Sequence, residues 1–299
     1  MSSTGVLEVE WGKKSDPVEI GGFQWTFNLT APKECRLRRD EEYCTKLICR
    51  PKEEKRTFMW SCLAKADFSR VSADGRKEAF CHSWSGIFKQ NHTEVHVHWN
   101  CASGAAAFNA VSPQSPSRKI HVNCIESSII DLSDPKNALI KDPSDAVKVK
   151  VDGEDLYLSN KVLSCRSEFF DVLFNHDFKE KVENSYELAD VKLEEFIHFL
   201  SIVHGFRILI DKTSIEYLLK LGDFYECQVV LNRCEEYLLA AGVEEIPLMD
   251  KFRMGNKFKL YQLLMEAVEK MSIEELKLFP RLELSQFAMD LILQKVVLH

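Results

Sequence analysis

The stretch DAVKVKVDGEDLYLSNKVLSCRSEFFDVLF, residues 145–174, is where the chain changes texture. It opens with two runs of alternating apolar and polar residues joined through Asp152-Gly153, and an Asp-Gly step between alternating runs signals a tight hairpin. Beyond the hairpin the period lengthens. In LEEFIHFLSIV the residues Leu193, Phe196, Ile197, Leu200 and Val203 recur three or four apart, which predicts one buried helical stripe. Thr213 with Glu216, and Ser272 with Glu275, have the spacing of capping boxes and predict helix starts. The last third reads as short antiparallel helices: SIEYLLKLGDFYEC, VVLNRCEEYLLA, IPLMDKFRMGNKF, LYQLLMEAVEK and LSQFAMDLILQKVVL.

Just upstream, LSDPKNALIKDPSD (132–145) contains two Asp-Pro steps, which disfavour helix at the preceding residue and mark a boundary. Ahead of that boundary the chain reads as strands. In FQWTFNL the residues Phe23, Trp25, Phe27 and Leu29 alternate with polar ones, the period that turns one face to a core. FMWSCLAK repeats this with Phe58, Trp60, Cys62 and Ala64, and IHVNCI with Ile120, Val122 and Cys124. YCTKLICR, EVHVHWN and the turn-forming SADGRKE complete the spacing of an antiparallel sandwich, with Trp25 and Trp60 in its core. ASGAAAFNAVSPQSPSRK (102–119) reads as a loop of small, Pro and Ser residues.

A chain of 299 residues exceeds the ~250 residues at which single cores stop growing, so two cores are expected. The 45% hydrophobic and 28% charged content is that of a folded soluble protein, and no apolar run approaches the ~20 residues of a membrane span. The first residues lack the apolar segment of a secretory signal, which implies an intracellular address, cytoplasmic or nuclear. Ten cysteines scattered through such a chain are expected reduced and mostly buried, and the absence of any C-x-x-C pair argues against a zinc ribbon or a RING domain. Residues 1–141 carry 20 Lys and Arg against 17 Asp and Glu, whereas residues 142–299 carry 19 against 29. An acidic second half is repelled by phosphate backbones, so nucleic acid is excluded in favour of protein partners.

Searching for chemistry returns little. There is no glycine-rich phosphate loop, zincin helix or nucleophile elbow. His96 and His98 of HVHW share a strand face with Glu94, but two histidines do not make a zinc site and the face reads as exposed and polar. The basic cluster KECRLRRDEE (33–42) reads as a solvated loop, since acids follow at once and no aromatics are interleaved. No catalytic, cofactor-binding or metal-ligating residue is therefore expected. FNHDFKEKVENSYEL (174–188) is different, because it places Phe178 in a charged loop. A buried plug, a piece of an active site and an anchor for another protein are all compatible with that residue.

From Asp145 onward the order hairpin, short helix, longer helix, strand, helix resembles a BTB/POZ domain, carried by residues 145–174, YELADVKLEEFIHFLSIVHG and SIEYLLKLGDFYECQVVLNRCEEYL. Asp145, Gly153, Lys161, Leu163, Ser167 and Phe170 look like the family's signature positions, while Asn160 stands where many members have histidine. VEIGGFQWTFNL and SWSGIF (83–88) are similar to the MATH (TRAF-like) sandwich. The resemblance implies a multidomain α+β chain: an antiparallel β-sandwich over 1–132, a linker over 133–142, a BTB/POZ domain over 143–242 and a short box-like (BACK-like) helical extension over 243–299. It further implies a non-enzymatic, cofactor-free homodimer that docks cullin-3 and holds a protein substrate, as substrate adaptors of cullin-RING ubiquitin ligases do. In those adaptors a hydrophobic residue followed two positions later by glutamate docks the cullin, and Phe178, Lys179 and Glu180 match in content and place. The alternative implied by the same family is a scaffold that uses the domain for self-association alone.

Overall fold

A computed structural model describes residues 3–9, 13–30, 43–71, 78–90, 92–99, 118–175, 185–206, 208–280 and 284–298. The basic cluster 33–42, the 102–117 segment, most of SADGRKE, the Phe178–Glu180 triplet and the side chains of Leu29 and His98 lie outside this set. The chain divides into two units, Met1–Asp131 and Leu132–His299.

The first unit is a sandwich of two antiparallel sheets. Its strands are β1 (Thr4–Val9), β2 (Val18–Ile20), β3 (Phe23–Thr30), β4 (Tyr43–Pro51), β5 (Phe58–Val71), β6 (Glu78–Lys89), β7 (Glu94–Trp99) and β8 (Arg118–Asp131). Among the described residues one sheet runs β1-β8-β5-β6 and the other β2-β3-β4-β7. The alternation predicted for β3, β5 and β8 is what faces inward: Phe23, Trp25, Phe27, Trp60, Cys62, Ala64, Ile120, Val122 and Cys124 are buried in one cluster, with Phe58 packed at its margin. Trp25 meets Phe88 edge-on at 5.1 Å and Phe23 meets Trp60 at 5.4 Å between ring centroids. Each such side chain contributes about 1.5–3 kcal/mol by leaving water. Cys49, Cys62 and Cys124 are free thiols in that core, where burial raises the pKa of Cys49 and leaves it protonated and unreactive.

The second unit starts from the hairpin β9 (Ala146–Val151) and β10 (Glu154–Ser159), to which β11 (Ser185–Leu188) adds in parallel beside β9. Asp152 and Gly153 have φ of 50° and 81°, the left-handed pair that a two-residue hairpin of this twist requires. Helices follow: α1 (Asn160–Arg166), α2 (Glu168–Asn175), α3 (Leu193–Val203), α4 (Ile215–Phe224), α5 (Gln228–Ala240), α6 (Leu248–Lys257), α7 (Tyr261–Lys270), α8 (Ile273–Leu276) and α9 (Gln286–Leu298). The predicted stripe of α3 is buried, and so are His198, Phe199, Ser201 and Ile202 on its other sides. The helix packs against α1, α4 and α5 at once, which covers more than one face. Its polar groups are satisfied locally: Ser201 Oγ donates to Ile197 O at 2.8 Å, and His198 Nδ1 lies 2.5 Å from Tyr217 Oη.

Of the two predicted capping boxes, Ser272 with Glu275 forms at the start of α8. Thr213 with Glu216 does not. The start of α4 is instead held two positions earlier by Asp211, whose Oδ1 accepts from Thr213 N at 3.0 Å and Ser214 N at 2.8 Å, while Ser214 Oγ accepts from Asp211 N. A carboxylate is the stronger acceptor, and Glu216 is left to pair with Lys220 on the helix surface.

Two lysines fasten the last helices. Lys251 of α6 is buried and donates to Ala241 O, the carbonyl just past α5, at 2.6 Å. Lys295 of α9 donates to Val268 O, Glu269 O and Met271 O at the end of α7. Cations placed on the unpaired carbonyls of a helix C-terminus are favoured by hydrogen bonding and by the helix dipole. Among the described residues no helix is long and apolar enough to cross a membrane.

His204, just past α3, is mostly buried and its Nε2 has no hydrogen-bond partner, so burial holds its pKa at about 4 against an ordinary 6.5. Above pH 6.5 the ring is neutral folded and unfolded. Between 6.5 and 4 the unfolded chain takes up a proton that the folded chain refuses, so stability falls with pH by on the order of 3 kcal/mol and then levels off. His204→Leu is expected to remove that part of the slope in urea unfolding curves recorded from pH 7 to pH 4. A wild-type slope in the variant would assign the acid sensitivity to other groups.

Candidate protein-interaction surface

The residues that resemble signature positions take different structural parts in the second unit. Asp145 ends a short 3-10 turn at Pro143–Asp145 and is buried. Its Oδ2 accepts from Ser159 Oγ at 2.5 Å and its Oδ1 from Lys161 N at 2.8 Å. Ser159 Oγ in turn accepts from Val162 N at 3.2 Å, capping α1. One carboxylate thus ties the entry of the hairpin to the exit of β10. Lys161 takes part through its backbone N–H. Its ammonium is exposed and 3.9 Å from Asp142, a pair worth little in water. Nothing lies within 4 Å of where a Cβ on Gly153 would sit, so the demand for glycine there is one of backbone conformation.

Ser167 caps α2, accepting from Phe170 N at 3.1 Å, and donates to Tyr225 O at the end of α4 at 2.5 Å. Leu163 and Phe170 are fully buried. Phe170 stacks on Phe174 (5.5 Å) and Tyr225 (4.9 Å) and touches Phe169 and Phe196. Burial without compensating hydrogen bonds raises the Tyr225 pKa to about 12, which fixes the phenol as neutral.

The Phe178–Glu180 triplet falls in the sequence between Asn175, the last residue of α2, and Ser185, the first of β11. Phe174 and Tyr186, which flank that triplet in sequence, meet at 4.9 Å between ring centroids, so α2 and β11 are clasped together here. The clasp is built from the sequence around the loop: an aromatic closing α2 and an aromatic in a short strand whose alternate residues point to the core.

Sequence reasoning passed over an apolar patch beside this frame. Phe224 is 66% exposed and Val172 46% exposed, with Phe169 half-buried and 5.5 Å from Phe224. Its signal was the consecutive pair Phe224-Tyr225 at a helix end, where neighbours about 100° apart cannot both face one core. Exposed aromatics carried on rigid helices are the chemistry of protein recognition. On the sandwich, His96 is exposed on β7 and Glu94 pairs with Lys46 at 2.6 Å. Among the described residues no three His, Cys, Asp or Glu side chains gather in a way that could hold a metal ion.

The BTB/POZ domain family matches residues 141–241. BTB and MATH domain-containing protein 38 of Caenorhabditis elegans is 26% identical over 259 residues, 84% of this chain and 65% of that protein. BTB and MATH domain-containing protein 36 of the same nematode is 25% identical over 270 residues, 87% of this chain and 82% of that protein. Among solved structures, the BTB domain of zebrafish PATZ1 aligns with 32% of this chain and 75% of its own at 18% identity and a TM-score of 0.27. The chain therefore carries a BTB/POZ domain at 141–241 behind an antiparallel sandwich, and over most of its length it is similar to BTB and MATH domain-containing proteins.

Proposed function

We propose that the chain is a substrate adaptor of a cullin-RING ubiquitin ligase. The sandwich over 1–132 binds a protein client, the domain over 143–242 dimerises and docks cullin-3, and the helices over 243–299 enlarge that contact. The observation that carries this reading is a sandwich followed by a BTB/POZ domain in a chain that aligns over more than four fifths of its length with two nematode BTB and MATH domain-containing proteins. Dimerisation adds function without new contacts, since two client sites and two ligase arms raise each other's effective concentration. The adaptor reading assigns no chemistry to the chain itself, in keeping with the acidic, cofactor-free reading of its sequence.

Affinity purification of the tagged full-length chain at near-physiological salt tests the proposal. Recovery of cullin-3 with its ubiquitin machinery is the expected outcome. Recovery of the chain alone, self-associated, would favour the scaffold.

A further inference from the structure

Leu132 and the segment 133–142, expected from the sequence to be a linker, are hydrogen-bonded to the sheet of the second unit. In the order β10-β9-β11, β10 is an outer strand among the described residues. An outer strand turns the N–H and C=O of every second residue away from its neighbour, toward whatever lies beyond the sheet, and invites pairing with another chain. Midway along β10 that residue is Tyr157. Both of its groups are taken from within the chain: its N–H donates to Leu132 O at 2.7 Å, and its C=O accepts from Asn137 Nδ2 at 2.9 Å.

Asn137 is the hub of this segment and is only 5% exposed. Its Nδ2 also donates to Asp134 O at 2.9 Å, its Oδ1 accepts from Leu139 N at 3.1 Å, and its backbone bonds Asp134 and Ile140. Lys136 N closes the same turn on Asp134 Oδ1 at 2.8 Å. At the end of β10, Ser159 is held by Asp145. A carboxamide that uses both donors and its acceptor while buried is specific in geometry and costly to replace.

We infer that Leu132–Asp142 is an edge strap, which withholds β10 from strand addition by a second copy of this chain. The second copy is the competitor because an antiparallel edge is its own complement under two-fold symmetry: two β10 strands pairing about Tyr157 present identical donors and acceptors to each other. The strap leaves self-association to the helical surfaces.

Asn137→Asp and Asn137→Ala in the full-length chain test this. The aspartate keeps the acceptor for Leu139 N but turns a carboxylate toward the carbonyls of Tyr157 and Asp134. At low protein concentration, hydrogen exchange of the β10 peptide is expected to quicken about tenfold in both variants while α3 and the sandwich keep wild-type protection. As concentration rises, light scattering is expected to show assemblies larger than those of the wild type. Wild-type exchange in β10, or faster exchange with no added assembly, would overturn the inference. Loss of protection throughout the second unit in both variants would overturn it too, because Asn137 would then hold the fold and not an edge.

Discussion

Replacing Phe178 and Glu180 together by alanine is expected to abolish co-purification of cullin-3 while leaving self-association intact. An aromatic anchor seated in a partner's pocket supplies ~2 kcal/mol or more, and truncating it weakens binding about 30-fold before the carboxylate is counted. In the proposed adaptor role the Glu180 carboxylate would orient the encounter. The substitutions leave the flanking contacts alone: Phe174 and Tyr186 keep their ring contact, and Asn175 keeps its bond to Asp171 Oδ1 at 2.7 Å. Self-association measured by light scattering therefore separates a lost anchor from a damaged domain. Unchanged cullin recovery from a folded double variant would remove the loop from the adaptor mechanism.

What the sequence reveals depends on the distance over which each contact acts. The Asp152-Gly153 turn, the alternation of β3 and the Ser272 cap are set by residues a few positions apart, and each is readable directly. For α4 the spacing pointed to Thr213 with Glu216, but the carboxylate of Asp211 outcompetes the hydroxyl of Thr213. The stripe on α3 predicted one buried face because periodicity records only the strongest, whereas helices on several sides cover the rest. The 132–142 segment is legible as a break but not as a strap, since Asn137 finds Tyr157 twenty residues onward. The signature residues were found by resemblance, and only the structure assigns their work: Lys161 acts through its backbone, and Ser167 joins two helices that are far apart in sequence.

The second large effect is expected at Phe170. Its ring is fully buried among Phe169, Phe174, Phe196 and Tyr225, so Phe170→Ala removes contacts on every side and leaves a cavity that neighbouring rings cannot collapse into without losing their own stacking. Such truncations cost ~3–5 kcal/mol, a large fraction of the ~5–15 kcal/mol that holds a domain together. Urea unfolding should show this loss, and hydrogen exchange should place it in α2, α3 and α4 while β5 and β8 of the sandwich keep their protection. Val172→Ala, on the same helix but half exposed, is the matched control and should cost less than about 1 kcal/mol. The two loop-related variants then separate by mechanism. Because Phe170 stacks on Phe174, and Phe174 clasps Tyr186 across the loop, Phe170→Ala should lower cullin-3 recovery together with stability, whereas the Phe178 and Glu180 variant should lower recovery alone. Equal stability of Phe170→Ala and Val172→Ala would mean that the aromatic ladder is not what holds α2 against β11.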